Sequence, residues 1–197
     1  MQKWTWRLLA VVTVLVLGAT TAGDATTRYV SSGAIRDANI TLRYPSRWQD
    51  VTKKVLAQAD DDNTRRIRFI AGYEDPAVTS LVRVEAQPLV TPFFADLDDF
   101  RTKYASLYYA LPGDDPADYA RYSDHTERTQ RIGKRTAYRV DATMHVEYED
   151  GTTGQFRFAE LMIPRTATSA VFVRVQAADD ATGREIIDTV MRSIRPA

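Results

Sequence analysis

From Ile40 onward the chain switches between two hydrophobic periods. Ile40-Thr41-Leu42-Arg43-Tyr44 is apolar at every second position, the pattern of a half-buried strand, and Pro45 closes it. Arg66–Tyr73 predicts a second strand, ended by Glu74-Asp75-Pro76. Ser80–Gln87 predicts a third, with Val82, Val84 and Ala86 on one face and Arg83 and Glu85 on the other. Ser123–Arg131 and Arg135–Tyr148 predict a hairpin around Gly133-Lys134. Its second strand lines up Tyr138, Val140, Ala142, Met144 and Val146. Gln155–Ile163 and Ser169–Ala177 follow as strands, the latter with Val171, Val173 and Val175 inward.

Three segments carry the helical period instead. Ser46 is placed to cap a short helix containing Trp48, Val51 and Val55. Asp96 is placed to cap a longer one, and Leu97, Phe100, Tyr104, Leu107, Tyr108 and Leu111 form its single apolar face before Pro112-Gly113. Thr182 and Glu185 have the spacing of a capping box for a last helix, striped by Ile186, Ile187, Val190, Met191 and Ile194. Asp60-Asp61-Asp62-Asn63 reads as a solvated turn, lacking the ligand spacing of a calcium loop.

Strands thus come in runs rather than in alternation with helices. That predicts an α+β domain on a mainly antiparallel sheet of about six to seven strands, and not a doubly wound nucleotide-binding fold. Neither an internal repeat nor a Pro/Gly/Ser linker divides residues 26–197, which read as one domain.

The first 25 residues follow another logic. Lys3 and Arg7 precede an apolar run from Leu8 to Leu17, broken only by Thr13, and small residues follow to Ala25. This is the layout of a secretory signal peptide, with cleavage after Ala22 or Ala25. The competing reading is a retained membrane anchor. A spanning helix needs about 20 apolar residues, and Leu8–Ala22 supplies fifteen. Trp4 and Trp6 suit a membrane interface.

Composition narrows the function classes. An apolar fraction of 44% is enough for a core, so wholesale disorder is excluded. Zero cysteines remove disulfides, thiolate metal sites and thiol nucleophiles. Lys plus Arg total 26 against 26 Asp plus Glu, whereas a dedicated nucleic-acid binder is basic. The balance is uneven along the chain. Ala95–Asp118 carries six acids against Arg101 and Lys103, a net of −4; Arg121–Arg139 carries six bases against Asp124 and Glu127, a net of +4.

Short motifs then carry a resemblance. Tyr44-Pro45-Ser46-Arg47-Trp48 resembles the aromatic-Pro-x-x-Trp opening of the PsbP-like superfamily. The turn Gly133-Lys134-Arg135-Thr136-Ala137-Tyr138 and the ending Glu185–Ile194 are similar to features of the same group. The resemblance spans about Thr27–Ile194 and is nearest in pattern to the exported LpqN-type lipoproteins of actinobacteria. It implies an antiparallel sheet with helices on both faces, and a binding or assembly role without a shared catalytic motif or cofactor. The lipobox cysteine of the lipoproteins is missing, so lipid anchoring is not implied.

Two surfaces qualify as candidate sites. Arg128, Arg131, Lys134 and Arg135 give the hairpin a basic surface for a protein or an anionic envelope component. Phe93 and Phe94 are candidate aromatic contacts. A second possibility is an extracytoplasmic enzyme or ion-binding protein. Asp141, His145 and Glu147 share one strand face with Thr143, so two carboxylates flank a histidine in a set suited to a divalent cation or to acid–base work. The same spacing also describes an ordinary polar strand surface. Without a Gly-x-Ser-x-Gly elbow, a Ser-His-Asp mechanism rests on composition alone. The sequence therefore predicts an exported, non-enzymatic envelope domain, in contact with the membrane only through residues 1–25.

Overall fold

Long alternating strands that turn back on Gly133-Lys134 and on Ala167-Thr168 build an antiparallel meander, and the meander sets the architecture. The computed structural model describes residues 27–57, 64–72, 80–88, 94–102, 120–147, 151 and 153–197. In chain order the elements are β1 (Tyr29–Ser31), β2 (Ile40–Thr41), β3 (Arg43–Pro45), β4 (Gln49–Asp50) and α1 (Thr52–Ala57). A 3-10 turn (Thr64–Arg66), β5 (Ile67–Gly72), β6 (Leu81–Pro88) and α2 (Leu97–Phe100) follow. The rest is β7 (Ala120–Ile132), β8 (Arg135–Glu147), β9 (Thr153–Thr166), β10 (Ser169–Ala178), α3 (Ala181–Ser193) and β11 (Arg195–Pro196).

Seven strands form one sheet in the order β4-β5-β6-β10-β9-β8-β7. Every pairing in it is antiparallel. The α+β class and the strand count follow the hydrophobic pattern. The sheet is apolar on both faces at its centre. Leu161, Ile163, Val171, Val173 and Val175 meet Ile186, Ile187, Val190, Met191 and Ile194 on and beside α3. On the other face Tyr138, Val140, Phe156, Phe158, Met162 and Phe172 cluster with Phe94 and Phe100. Each such side chain contributes roughly 1.5–3 kcal/mol on leaving water, so the double-sided core holds a cysteine-free fold together. The helix that the described residues place in this second-face cluster is the short α2, through Phe100 and Leu97.

Local chemistry departs from the sequence expectation in three places. Ile40–Tyr44 is not one strand of the main sheet. It breaks at Leu42, whose backbone N–H and carbonyl both turn to Ser32. β2 then pairs with β11 and β3 with β1. Ser46 begins no helix: the turn after Pro45 leads into β4, and the Ser46 N–H donates to the Arg28 carbonyl. Trp48 is buried in the turn before β4, and α1 starts at Thr52, where Asp50 Oδ1 accepts from both N–H and hydroxyl. α3 is capped by Asp180, which accepts from the Gly183 N–H at 2.7 Å, and not by Thr182. Gly183 is required there: a Cβ would sit 1.9 Å from the Ala178 carbonyl oxygen.

Other expectations hold. Asp96 caps α2 by accepting from the Asp99 N–H, and Phe100 is fully buried. The remainder of the predicted helix to Leu111, the Asp60–Asn63 turn and the N-terminal segment lie outside the described residues.

Candidate functional site: a basic rim at one end of the sheet

The register brings the basic residues together. Ile132 pairs with Arg135 across the β7–β8 turn, Ser169 pairs with both Thr166 and Pro88, and Arg66 bonds Gln87 beside it. These turns therefore share one end of the sheet. α3 runs antiparallel to β10 and delivers its C-terminus to the same end, where a Cβ on Gly133 would lie 2.7 Å from Pro196 Cγ. Gly133 also needs its left-handed φ of +59° to make the hairpin turn.

Of the predicted contact residues, Arg131, Lys134 and Arg135 stand exposed at this tip. Arg131 folds back, donating to Thr136 Oγ and to the Lys134 carbonyl at 3.0 Å each. Arg128 does not belong with them. Its Nη2 lies 3.2 Å from Asp141 Oδ2 and 3.7 Å from Asp188 Oδ1, which neutralises it locally. Phe94 is buried and meets Phe100 and Tyr138 edge-on, at 5.3 and 5.8 Å between ring centroids. It is core, not a contact surface, because the aromatic cluster of the second face needs it. Phe93 lies outside the described residues.

On the strand face that carries Asp141 and His145, the described side chains are bonded to other partners. Asp141 Oδ1 accepts from Arg139 Nε and Nη2, and its Oδ2 faces Arg128. His145 Nε2 lies 2.8 Å from Ser123 Oγ, while Glu147 is the last residue of β8. Among the described residues, no group of three or more histidines and carboxylates is placed to hold a metal, and no carboxylate hydrogen-bonds the His145 ring. A polar strand surface was one expectation for this face. Instead Arg139, Asp141 and Thr143 are buried: Asp188 on α3 accepts from Arg139 at 3.0 Å, Arg139 and Arg128 close on Asp141, and Arg157 donates to Thr143.

Sequence reasoning missed the charges inside the sheet. Glu160 in β9 is almost fully buried and accepts Arg174 Nε and Nη2 at 2.8 and 2.6 Å. Arg174 also lies over the Phe158 ring, its Cζ 5.6 Å from the centroid. Arg83 meets Glu85 on the same face. Burial pulls the Arg83 guanidinium below its ordinary range, partly offset by Glu85. Burial pushes the neighbouring Tyr122 phenol up, with Arg174 opposing and Glu160 adding. The alternation Arg83/Glu85 was visible in the sequence; the burial of Glu160 against Arg174 was not.

No protein-family model matches the chain, and no curated protein matches it. Solved structures do. The cyanobacterial PsbP protein CyanoP of Synechocystis aligns over 91% of this chain and 98% of its own, at 11% identity and a TM-score of 0.57. LpqN of Mycobacterium tuberculosis, described as involved in cell envelope biogenesis, aligns over 87% and 92% at 14% identity and a TM-score of 0.46. The Saccharomyces cerevisiae Ran-binding protein Mog1p aligns over 87% and 96% at 11% identity and a TM-score of 0.47. With its seven-stranded antiparallel sheet matching CyanoP over nearly the full length of both chains, this protein has the PsbP-like fold.

Proposed function

We propose that the protein is an exported, non-catalytic binding domain of the cell envelope, and that it meets an anionic partner through the basic strand-end rim. The observation that carries this reading is the exposed hairpin tip. Arg131, Lys134 and Arg135 project from a rigid turn, and none of them meets a carboxylate among the described residues. Arg128 and Arg139, from the same basic stretch, are consumed by Asp141 and Asp188. The surviving charge is therefore concentrated at the tip. Export is supported by the basic, apolar and small-residue order of the first 25 residues. The motif resemblance to PsbP-like binding and assembly proteins supports a role without chemistry.

The test is capture of partners from the native envelope fraction by the exported protein and by the charge-reversed variant R131E/K134E/R135E. Loss of the captured species in the variant is expected. Unchanged capture refutes the rim as the contact surface. N-terminal sequencing of the exported chain is expected to start after Ala22 or Ala25; a chain still starting at Met1 makes it a tethered envelope protein.

A further inference from the structure

The arginines of this protein divide by what holds them. In the sheet interior and at its far end they meet carboxylates: Arg83 with Glu85, Arg139 with Asp141, Arg174 with Glu160, Arg184 with Asp179. Arg157, bonded to Thr143 Oγ, is an exception there. Around the basic rim five arginines have neutral acceptors among the described residues. Arg66 donates to Gln87 Oε1, Arg131 to Thr136 and the Lys134 carbonyl, and Arg165 to the Asp37 carbonyl. Arg192 donates to the Asp188 carbonyl, and Arg195 to the carbonyls of Arg192 and Ile194. In the described turns and strand ends here, Asp37 is the only carboxylate side chain, and it lies 3.6 Å from Arg68.

A guanidinium bonded to a carbonyl or hydroxyl is positioned without being neutralised. It keeps its full charge and has less side-chain freedom left to lose when an anion arrives. A row of such groups is therefore pre-organised for several anionic groups at once. From β5 to β7 the rim crosses five strand spacings, roughly 24 Å at about 4.8 Å each. That is too wide for one small anion. The cations also stand on separate turns rather than converging on a pocket. Large exposed hydrophobics among the described residues are Val30 in β1 and Leu56 in α1, neither of them in the turns that carry the cations. Among the described residues, the rim thus presents neither the aromatic anchors of a protein hot spot nor the apolar wedge of an inserting membrane surface.

We infer that the anionic partner is a polyanion, a chain polymer with repeated phosphate, sulfate or carboxylate groups, laid across the rim from the hairpin tip past Arg165 and Arg195 to Arg66. This rests on the rim being the contact surface, as proposed above, and adds what occupies it.

The test measures affinity of the exported protein for heparin and for long-chain polyphosphate over a salt series, with phosphatidylglycerol vesicles in parallel. The two polymers separate sulfate and carboxylate from phosphate as the preferred group. Binding with a steep salt dependence is expected. The double variant R165Q/R195Q, outside the hairpin, should flatten the log–log salt slope by about two and weaken binding roughly tenfold near 0.15 M salt. R184Q, at the opposite end beside Asp179, should leave both unchanged. The inference is overturned by failure to bind either polymer at about 0.05 M salt, by binding to vesicles alone, or by equal effects of R165Q/R195Q and R184Q. If the polymers fail while R131E/K134E/R135E still loses its envelope partner, the binding-domain reading stands and the polyanion falls.

Discussion

Arg139 in β8 reaches across the gap between sheet and helix and donates to Asp188 of α3 at 3.0 Å, while the same guanidinium grips Asp141 two residues along its own strand. The two carboxylates differ in exposure: the Asp141 side chain is 12% exposed and that of Asp188 is 51%. Asp141→Ala leaves a buried guanidinium without its main counter-charge, a change that costs about 3–5 kcal/mol. Asp188→Ala removes a half-exposed partner and should cost under about 1 kcal/mol. Urea unfolding of the two variants gives the comparison. Equal losses would show that the helix contact neutralises Arg139 as much as the strand contact does.

The cap of α3 separates sequence pattern from structure. Asp180→Ala should destabilise by about 1 kcal/mol by leaving the Gly183 N–H without its acceptor. Thr182→Ala, at the position the capping-box pattern singles out, should change thermal stability by no more than a few tenths of that. Reversal of this order would return the cap to Thr182.

Phe94 joins Phe100 and Tyr138 in one aromatic cluster. Phe94→Ala is expected to cost about 3–5 kcal/mol of unfolding free energy, the range for a buried phenylalanine. Capture of the envelope partner, measured where the variant is still folded, should be unaffected. A stable variant that has lost its partner would make Phe94 a contact residue after all.

Tyr122 offers a pH signature. Its phenol is pushed above the ordinary value near 10 by burial, so the unfolded chain ionises first as pH rises. The stability tied to the neutral phenol is complete below about pH 10 and is lost progressively from there up to the folded pKa. Tyr138 and Tyr44 shift in the same direction for the same reason. Tyr122→Phe should therefore show a shallower loss of stability between about pH 9 and pH 11 than the parent protein. Parallel curves in urea titrations would mean that Tyr122 ionises in the folded state as freely as in the unfolded one.

Much of the architecture was legible in one dimension, because alternation records which face of a strand is buried. Val82 and Val84, Val171 to Val175, and the α3 stripe all pack where their period points. The hairpin turn at Gly133-Lys134 was equally plain, since few dipeptides accept its geometry. Alternation says nothing about how many layers cover a sheet. The face of Asp141 also fits a polar strand surface by its alternation, yet Asp141 is buried, as are Arg139 and Glu160, for which the pattern gives no warning. Phe94 makes the same point: an aromatic in a loop shows its chemistry, while the structure supplies the neighbours that bury it.

The sequence by itself determined the class of fold, the strand order along the chain and the exposed basic hairpin, since these depend on local period and turn chemistry. Only the tertiary structure decided which charges are left to act. Arg128 and Arg139 lie in the same basic stretch as Arg131, Lys134 and Arg135, but Asp141 and, from α3, Asp188, 49 residues from Arg139, together neutralise them. The rim took shape in the same way. Arg66, Arg165 and Arg195 are far apart in the chain and become neighbours of the hairpin end because antiparallel register returns every second turn to one end of the sheet. Coulombic neutralisation acts through space over a few ångströms, and chain separation does not reveal it.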